Sequence, residues 1–376
     1  MSAPAGMTLL FEQAHILCYR TFDIAEEIDL ERARKALSED SRRLKLSREN
    51  SQYIQLPNPP VAYELGRRPL ALRDGPVTVD ATARLFDHGA ASIILRVPVA
   101  PGTTWEALTQ VADELYDSQA LDDLAQELVE GVRRTISAAV QGPHLWDQSE
   151  SYTVIFAERI QGNPSAEELF QRADIARLLL GESTTAPLAP REREAVTQVR
   201  FSYTAHDLVV VDWNSAFVYE PSGSRDIPDL LEIANAQLLE FRYYDERLDE
   251  HIARIHDEVQ ARKPGWLTLF RSPYRSLARE TLGTLVDLNE FVERVENSLK
   301  IIGDFYLAKV YEGAVRRLRI PAWQASVTRK QQLLAQTYGL LKGEVDIDRS
   351  HILEVMIVAL IILEIVLAFG RVFQDG

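Results

Sequence analysis

Between Ile352 and Gly370 the chain carries only two charges, Glu354 and Glu364, and 13 of these 19 residues are Ile, Leu, Val or Phe. At ~1.5 Å per residue a helix of this length spans about 28 Å, close to the roughly 30 Å of a bilayer's hydrocarbon. Each large apolar residue favours insertion by up to ~0.5 kcal/mol, against about 3 kcal/mol for a carboxylate at the centre. The pattern predicts a C-terminal transmembrane helix at 351–370. A buried bundle helix or oligomer axis is the alternative. Glu364 lies deep in the segment, so a neighbouring helix is expected to shield it, and with one span per chain that helix comes from a second copy. A monomeric anchor carrying a neutral Glu364 is the other possibility. Arg329, Lys330, Lys342 and Arg349 precede the segment and Arg371 follows it, which by the positive-inside rule puts the body in the cytoplasm.

The rest is an ordinary folding sequence: 376 residues, 46% hydrophobic and 26% charged, enough for two or three structural units and inconsistent with wholesale disorder. The net charge of −15 opposes nonspecific binding to nucleic acid or anionic lipid. Lys263 to Lys342 runs the other way, with 13 basic and 7 acidic residues. The single cysteine, Cys18, rules out an intramolecular disulfide and a cysteine zinc site; within His15–Tyr19 it reads as a buried strand thiol in a reducing compartment. The first residues have neither the plan of a secretory signal nor that of a transit peptide.

The first two-thirds reads as one α/β pattern written twice, over 1–141 and 150–226. In the first copy a strand, His15–Phe22, precedes a helix, Leu30–Leu37; a hairpin then turns at Asp87-His88-Gly89, and a helix follows from Thr104 to Leu115. The second has a strand at Tyr152–Arg159, a helical stretch at Ala166–Leu180, a hairpin turning at Asp212-Trp213-Asn214, and a helix starting at Asp226-Ile227-Pro228-Asp229. Hairpins and helices align at an offset of 125 residues, which places Gly89 on Asn214, two residue types that tolerate a left-handed backbone. The expected fold is α+β: duplicated ferredoxin-like βαββα units, then long coiled-coil-like helices, then the transmembrane helix.

The long helices are read over 227–347. Apolar residues step 3,4,3,4 through Leu231, Ala234, Leu238, Phe241, Leu248, Ile252, Ile255 and Val259, interrupted only by Asp245. A second run goes from Leu285 through Leu288, Val292, Val295, Leu299 and Ile302 to Tyr306, and a third holds Val327, Leu334, Tyr338 and Leu341. Such seams serve a bundle or an oligomer equally. Trp266–Phe270, after Lys263-Pro264-Gly265, is an apolar loop expected at the bundle tip or at a membrane interface.

No nucleotide-binding glycine loop, metalloprotease helix or nucleophile elbow is present, so no catalytic residue and no cofactor is expected. Asp245, Asp249 and His256 share a helical face and are the candidate metal ligands, a set needing further donors from elsewhere. The simpler reading has Asp245 pairing with Arg242 or with a basic residue on a facing helix. Glu240, Arg242, Asp245, Glu354 and Glu364 are the candidate polar residues for structure and assembly, and Arg316-Arg317-Leu318-Arg319 is a basic patch able to meet RNA or headgroups.

Leu208–Asn214, Asp226–Asn235, Gln237–Asp245, Gly303–Tyr311 and Arg349–Val358 with Leu363–Val366 together resemble the required-for-meiotic-nuclear-division (YagE-like) family, a domain of unknown function, over roughly 200–370. Val355 stands where that family usually has a Trp. The resemblance implies a C-terminally anchored oligomer, some relatives being linked to organelle translation, and a bacterial member anchored in the inner membrane. The expected function is a membrane-anchored homo-oligomeric scaffold presenting a cytoplasmic platform, its partners being the lipid bilayer, itself, and a ribosome or RNA. A metal-dependent enzyme built on Asp245, Asp249 and His256, and a membrane-associated RNA-binding protein, are the alternatives.

Overall fold

Strand β1 (Leu10–Asp23) is the spine of the fold, and its alternation decides the layering. Ile16 and Cys18 point to one side of the sheet, Tyr19 and Thr21 to the other, and all four are buried. A strand buried on both faces must be covered twice. The computed structural model describes residues 9–37, 42–43, 54–55, 58–73, 75–184, 186–261, 274–297, 300–301 and 304–374. The expected loop Trp266–Phe270 lies outside them.

After β1 come β2 (Ala25–Ile28), α1 (Leu30–Leu37), β3 (Arg42–Arg43), β4 (Ile54–Gln55), β5 (Val61–Leu72), β6 (Gly75–Leu85), β7 (Ala90–Val99) and β8 (Thr103–Thr104). Helices α2 (Trp105–Tyr116) and α3 (Gln119–Thr135) lead to β9 (Val140–Pro143) and β10 (Ser149–Ile160). Three short helices, α4 (Ala166–Arg172), α5 (Ile175–Leu180) and α6 (Pro190–Val196), precede β11 (Val199–Phe201), β12 (Leu208–Val211) and β13 (Ser215–Tyr219). The remainder is α7 (Asp226–Ala261), α8 (Arg275–Asn297), β14 (Lys300–Ile301), α9 (Phe305–Arg317) and α10 (Ile320–Gln374).

The chain divides into two units: 1–243 with 294–323, and 244–293 with 324–376. The first holds one large mixed sheet in the order β11-β12-β13-β10-β1-β7-β6-β5-β3, with β8 against β1. On one face Ile16, Cys18, Ile93, Leu95, Ile155 and Phe217 pack with Trp105, Leu108, Leu128, Ile175 and Leu179 from α2, α3 and α5. Thr104 and Ser118 cap α2 and α3, and Ser165 with Glu168 closes a capping box on α4. Against the other face lies the start of α7, buried at every residue from Asp226 to Phe241. α9 reaches the sheet edge because Gly313 has no side chain: a Cβ there would stand 2.5 Å from the Phe201 ring.

The duplicated ferredoxin-like units are corrected by the sheet. Both hairpins form, but β7 runs antiparallel to β1 whereas β13 runs parallel to β10. The three helices between β10 and the second hairpin bring it in with the opposite sense, and all the strands share one sheet. Gly89 has φ 110°, while Asn163 and Arg319 are the non-glycine residues of positive φ among those described, so Asn214 does not mirror Gly89.

In the second unit the latter part of α7, α8 and α10 bury Leu248, Ile255, Leu277, Leu288, Leu334 and Leu341. Arg254 pairs with Glu280 at 3.2 Å and Gln331 donates to Asn289 at 2.6 Å. The second heptad run does not form one helix. α8 ends at Asn297, and Asp304 starts α9 by accepting from the backbone N–H groups of Tyr306 and Leu307.

The expected transmembrane helix, and with it the placement in a bacterial inner membrane with a cytoplasmic body, is corrected as well. No helix among the described residues is long and apolar enough to cross a membrane. The described side chains of that segment are Glu354 and Met356–Glu364.

Candidate functional site

The apolar run of α10 is the most unusual surface of the second unit. Every side chain from Met356 to Leu363 is exposed, with Leu360 at 64% and Ile357 at 56%. Eight residues make more than two helical turns, so the apolar surface faces all directions. Glu354 and Glu364, the expected assembly residues, stand exposed at its two ends. Further up the same helix, Lys330 Nζ lies 2.9 Å from Asp245 Oδ1 and 2.6 Å from Asp249 Oδ2, so an ammonium already sits between the two carboxylates read as metal ligands. His256 is apart from them. Its Nε2 lies 2.7 Å from Gln260, and its ring borders an apolar groove of about 510 Å³ with Ile252, Val259, Leu333 and Leu340. Among the described residues no group of three or more His, Cys, Asp or Glu side chains is arranged to hold a metal ion.

In the first unit, the face of α7 that meets the sheet carries a ladder of buried polar residues. Arg84, on β6, donates to Asp229 Oδ1 at 3.0 Å and also pairs with Glu232, whose side chain is fully buried. One guanidinium thus serves two carboxylates. Burial raises Glu232 to about 7, opposed by Arg84 and helped by the Asp229 charge, and burial raises Asp229 too. Arg84 shifts in the sense of a firmly held cation, because the two carboxylates outweigh its own desolvation. A strongly held cation beside two weakened acids is consistent with one count of charge: a single positive group cannot keep both carboxyls ionised.

Two turns further along α7, Glu240 Oε1 lies 3.3 Å from His88 Nδ1, both nearly inaccessible. His88 sits in the β6–β7 turn, which closes against β2 so tightly that a Cβ on Gly89 would stand 1.8 Å from the Ala25 carbonyl oxygen. Beside it, His144 Nε2 is 3.0 Å from buried Asp23 Oδ1, and Tyr243 stacks on the imidazole at 4.9 Å and 10°. Burial raises Asp23 against the His144 hydrogen bond. Burial opposes the His144 cation, but the bond and charge of Asp23 outweigh it and raise His144. Arg242 pairs with Glu150 and donates to Gln148 at 3.0 Å. Of this ladder only Glu240 and Arg242 were anticipated. The missed signal is Asp229 and Glu232, two acids three residues apart in the mostly apolar stretch Ile227–Leu239, with Arg84 inside the run Ala81–Phe86.

The basic patch is split by the fold. Arg317 turns inward, its Nε donating to Asp212 Oδ1 at 2.9 Å, while Arg316 and Arg319 are exposed. That bond sets the last turn of α9 against the β12–β13 hairpin, whose tip exposes 47% of Trp213.

A family model described as "Uncharacterized protein MJ0711, N-terminal domain" matches residues 13–226. Over 174 residues, 46% of this chain and 52% of the relative, the sequence is 25% identical to the uncharacterized protein MJ0711 of the archaeon Methanocaldococcus jannaschii. The chain spans about half the length of that curated relative. No solved structure matches. These findings correct the expected membership of the YagE-like family and the expected bacterial source. The segments that carried that resemblance lie mostly in α7, α9 and α10, where apolar helical spacing recurs in unrelated chains, while the match runs through the sheet.

Proposed function

This chain belongs to the MJ0711 N-terminal-domain family, and from that premise we propose that it works as a homo-oligomeric scaffold: the matched α/β unit is the platform, and the helices beyond residue 226 assemble it. The observation that carries this reading is the run Met356–Leu363, exposed on every side of α10. Isolated soluble chains rarely leave so many large apolar side chains in contiguous contact with water. Burying one Leu or Ile contributes about 1.5–3 kcal/mol, so even half of the run covered by neighbouring copies would offset much of the entropy lost on association. An apolar surface that faces all directions suits neighbours on several sides, as a bundle of identical helices provides. Assembly also fits the other features of this helix, with Leu333 and Leu340 exposed along it.

The test is the mass of the purified chain measured by light scattering after gel filtration. The intact protein is expected at a multiple of its 42.5 kDa, and a form ending at His351 at the mass of one copy. Equal masses for the two forms would remove the proposal. Substituting Leu360 and Ile361 by Ser, which leaves the helix length unchanged, is expected to weaken assembly at least tenfold.

A further inference from the structure

We propose that the tip of the β12–β13 hairpin and the last turn of α9 form a binding site for a single-stranded nucleic acid, with a base stacked on Trp213 and phosphates held by Arg316 and Arg319. This goes beyond self-assembly and uses only the first unit.

Hairpin tips are ordinarily loose, yet this one is fixed. Tyr152 Oη donates to the carbonyls of Asp212 and Ser215 at 3.2 and 3.0 Å, both from inside the sheet. Thr153 N–H donates to the Asn214 carbonyl at 3.0 Å, and Asn214 Nδ2 donates to Tyr116 Oη at 2.6 Å. Arg317 holds Asp212 from the other side. Everything around Trp213 is tied down, while its indole makes no ring contact or hydrogen bond among the described residues. A large aromatic on a rigid support and facing solvent is a stacking platform: it loses little freedom on binding, and any base offers it a π-face.

The cations belong to the segment whose Arg317 bonds Asp212, the residue before Trp213. Neither Arg316 nor Arg319 has a carboxylate within ion-pair distance among the described residues; Arg316 Nε reaches only the Glu312 carbonyl, at 3.4 Å. Arg319 adopts φ 56°, a backbone that glycine would take more cheaply, so the α9–α10 joint keeps a charged side chain at a strained position. The chain's net charge of −15 opposes polyanions at long range. At about 0.1 M salt, charges more than ~10 Å away are screened, and the local pair decides.

The experiment titrates the full-length chain into fluorescein-labelled 12-mers of uridine RNA and thymidine DNA, read by anisotropy from 50 to 200 mM NaCl. Salt-dependent binding is expected, weakened roughly fivefold to hundredfold by Trp213→Ala and largely kept by Trp213→Phe. Arg316→Gln and Arg319→Gln are each expected to lower the slope of log affinity against log salt by about 0.7, and Arg134→Gln, an exposed arginine on α3, to leave it unchanged. Tighter RNA than DNA would assign the ligand to RNA through its 2′-hydroxyl, and equal affinities to single strands of either kind; both support the site. No binding at 50 mM salt, or binding that Trp213→Ala leaves intact, overturns it. So does an acidic protein that copurifies stoichiometrically and is lost with Trp213→Ala while neither oligonucleotide binds.

Discussion

Glu232 shows how much one buried side chain can decide. Its carboxyl is raised from 4.5 to about 7 by burial, so its neutral form suits the folded state better than its charged form. The sign follows. Glu232's contribution is fully present below pH 4.5 and is lost as pH rises through about 7, a fall on the order of 3 kcal/mol if the unfolded group titrates normally. Urea midpoints at pH 5 and pH 7 should therefore differ in that direction, and Glu232→Gln should flatten the difference. Arg84→Met is the harsher change. It leaves Asp229 and Glu232 buried with no cation and is expected to cost about 3–5 kcal/mol at pH 7, and less at pH 5, where Glu232 holds its proton. Glycines separate strain from space. At Gly75, φ is 119° with nothing within 4 Å of an added Cβ, so Gly75→Ala should cost only the backbone term, about 1–2 kcal/mol. Gly89→Ala adds a collision with the Ala25 carbonyl and should lower the melting temperature by clearly more.

Among the elements, helices were legible and pairing sense was not. The heptad steps from Leu231 describe a helix that forms over 36 residues, because apolar periodicity is a local signal that burial then reinforces. The same periodicity misled between Leu285 and Tyr306. There Asp304 satisfies two orphan N–H groups of a new helix, and a cap outweighs a continued seam. That β7 and β13 take opposite senses against their neighbours is decided by the path of the intervening chain, which no local pattern records. A basic partner for Asp245 on a facing helix was expected, but its identity was not legible, since nothing in the stretch around Lys330 points to Asp245, 85 residues away. Because Lys330 and Asp245 are both largely shielded, Lys330→Met should destabilise the second unit by about 1–3 kcal/mol. The Lys330→Met and Asp245→Asn cycle, followed by helical circular dichroism during thermal unfolding, should show positive coupling.

For the whole molecule, the two hairpins and the acidic balance follow from residues visible at the outset, whereas the single mixed sheet does not, and a membrane span does not survive among the described residues. The polar ladder beneath α7 stayed hidden because its members come from four separated stretches that only the finished sheet brings together. The position of β1 carries one more consequence. As the first strand of the sheet it has β7 on one side and β10 on the other, so its second border stays open until Ile160 has been made. At about 5–20 residues per second, the nascent chain would hold an apolar strand with an unclaimed edge for several seconds or more. Fragments released before that point should associate through this edge, and the ribosome's pace across residues 100–160 should govern how much product reaches the native state.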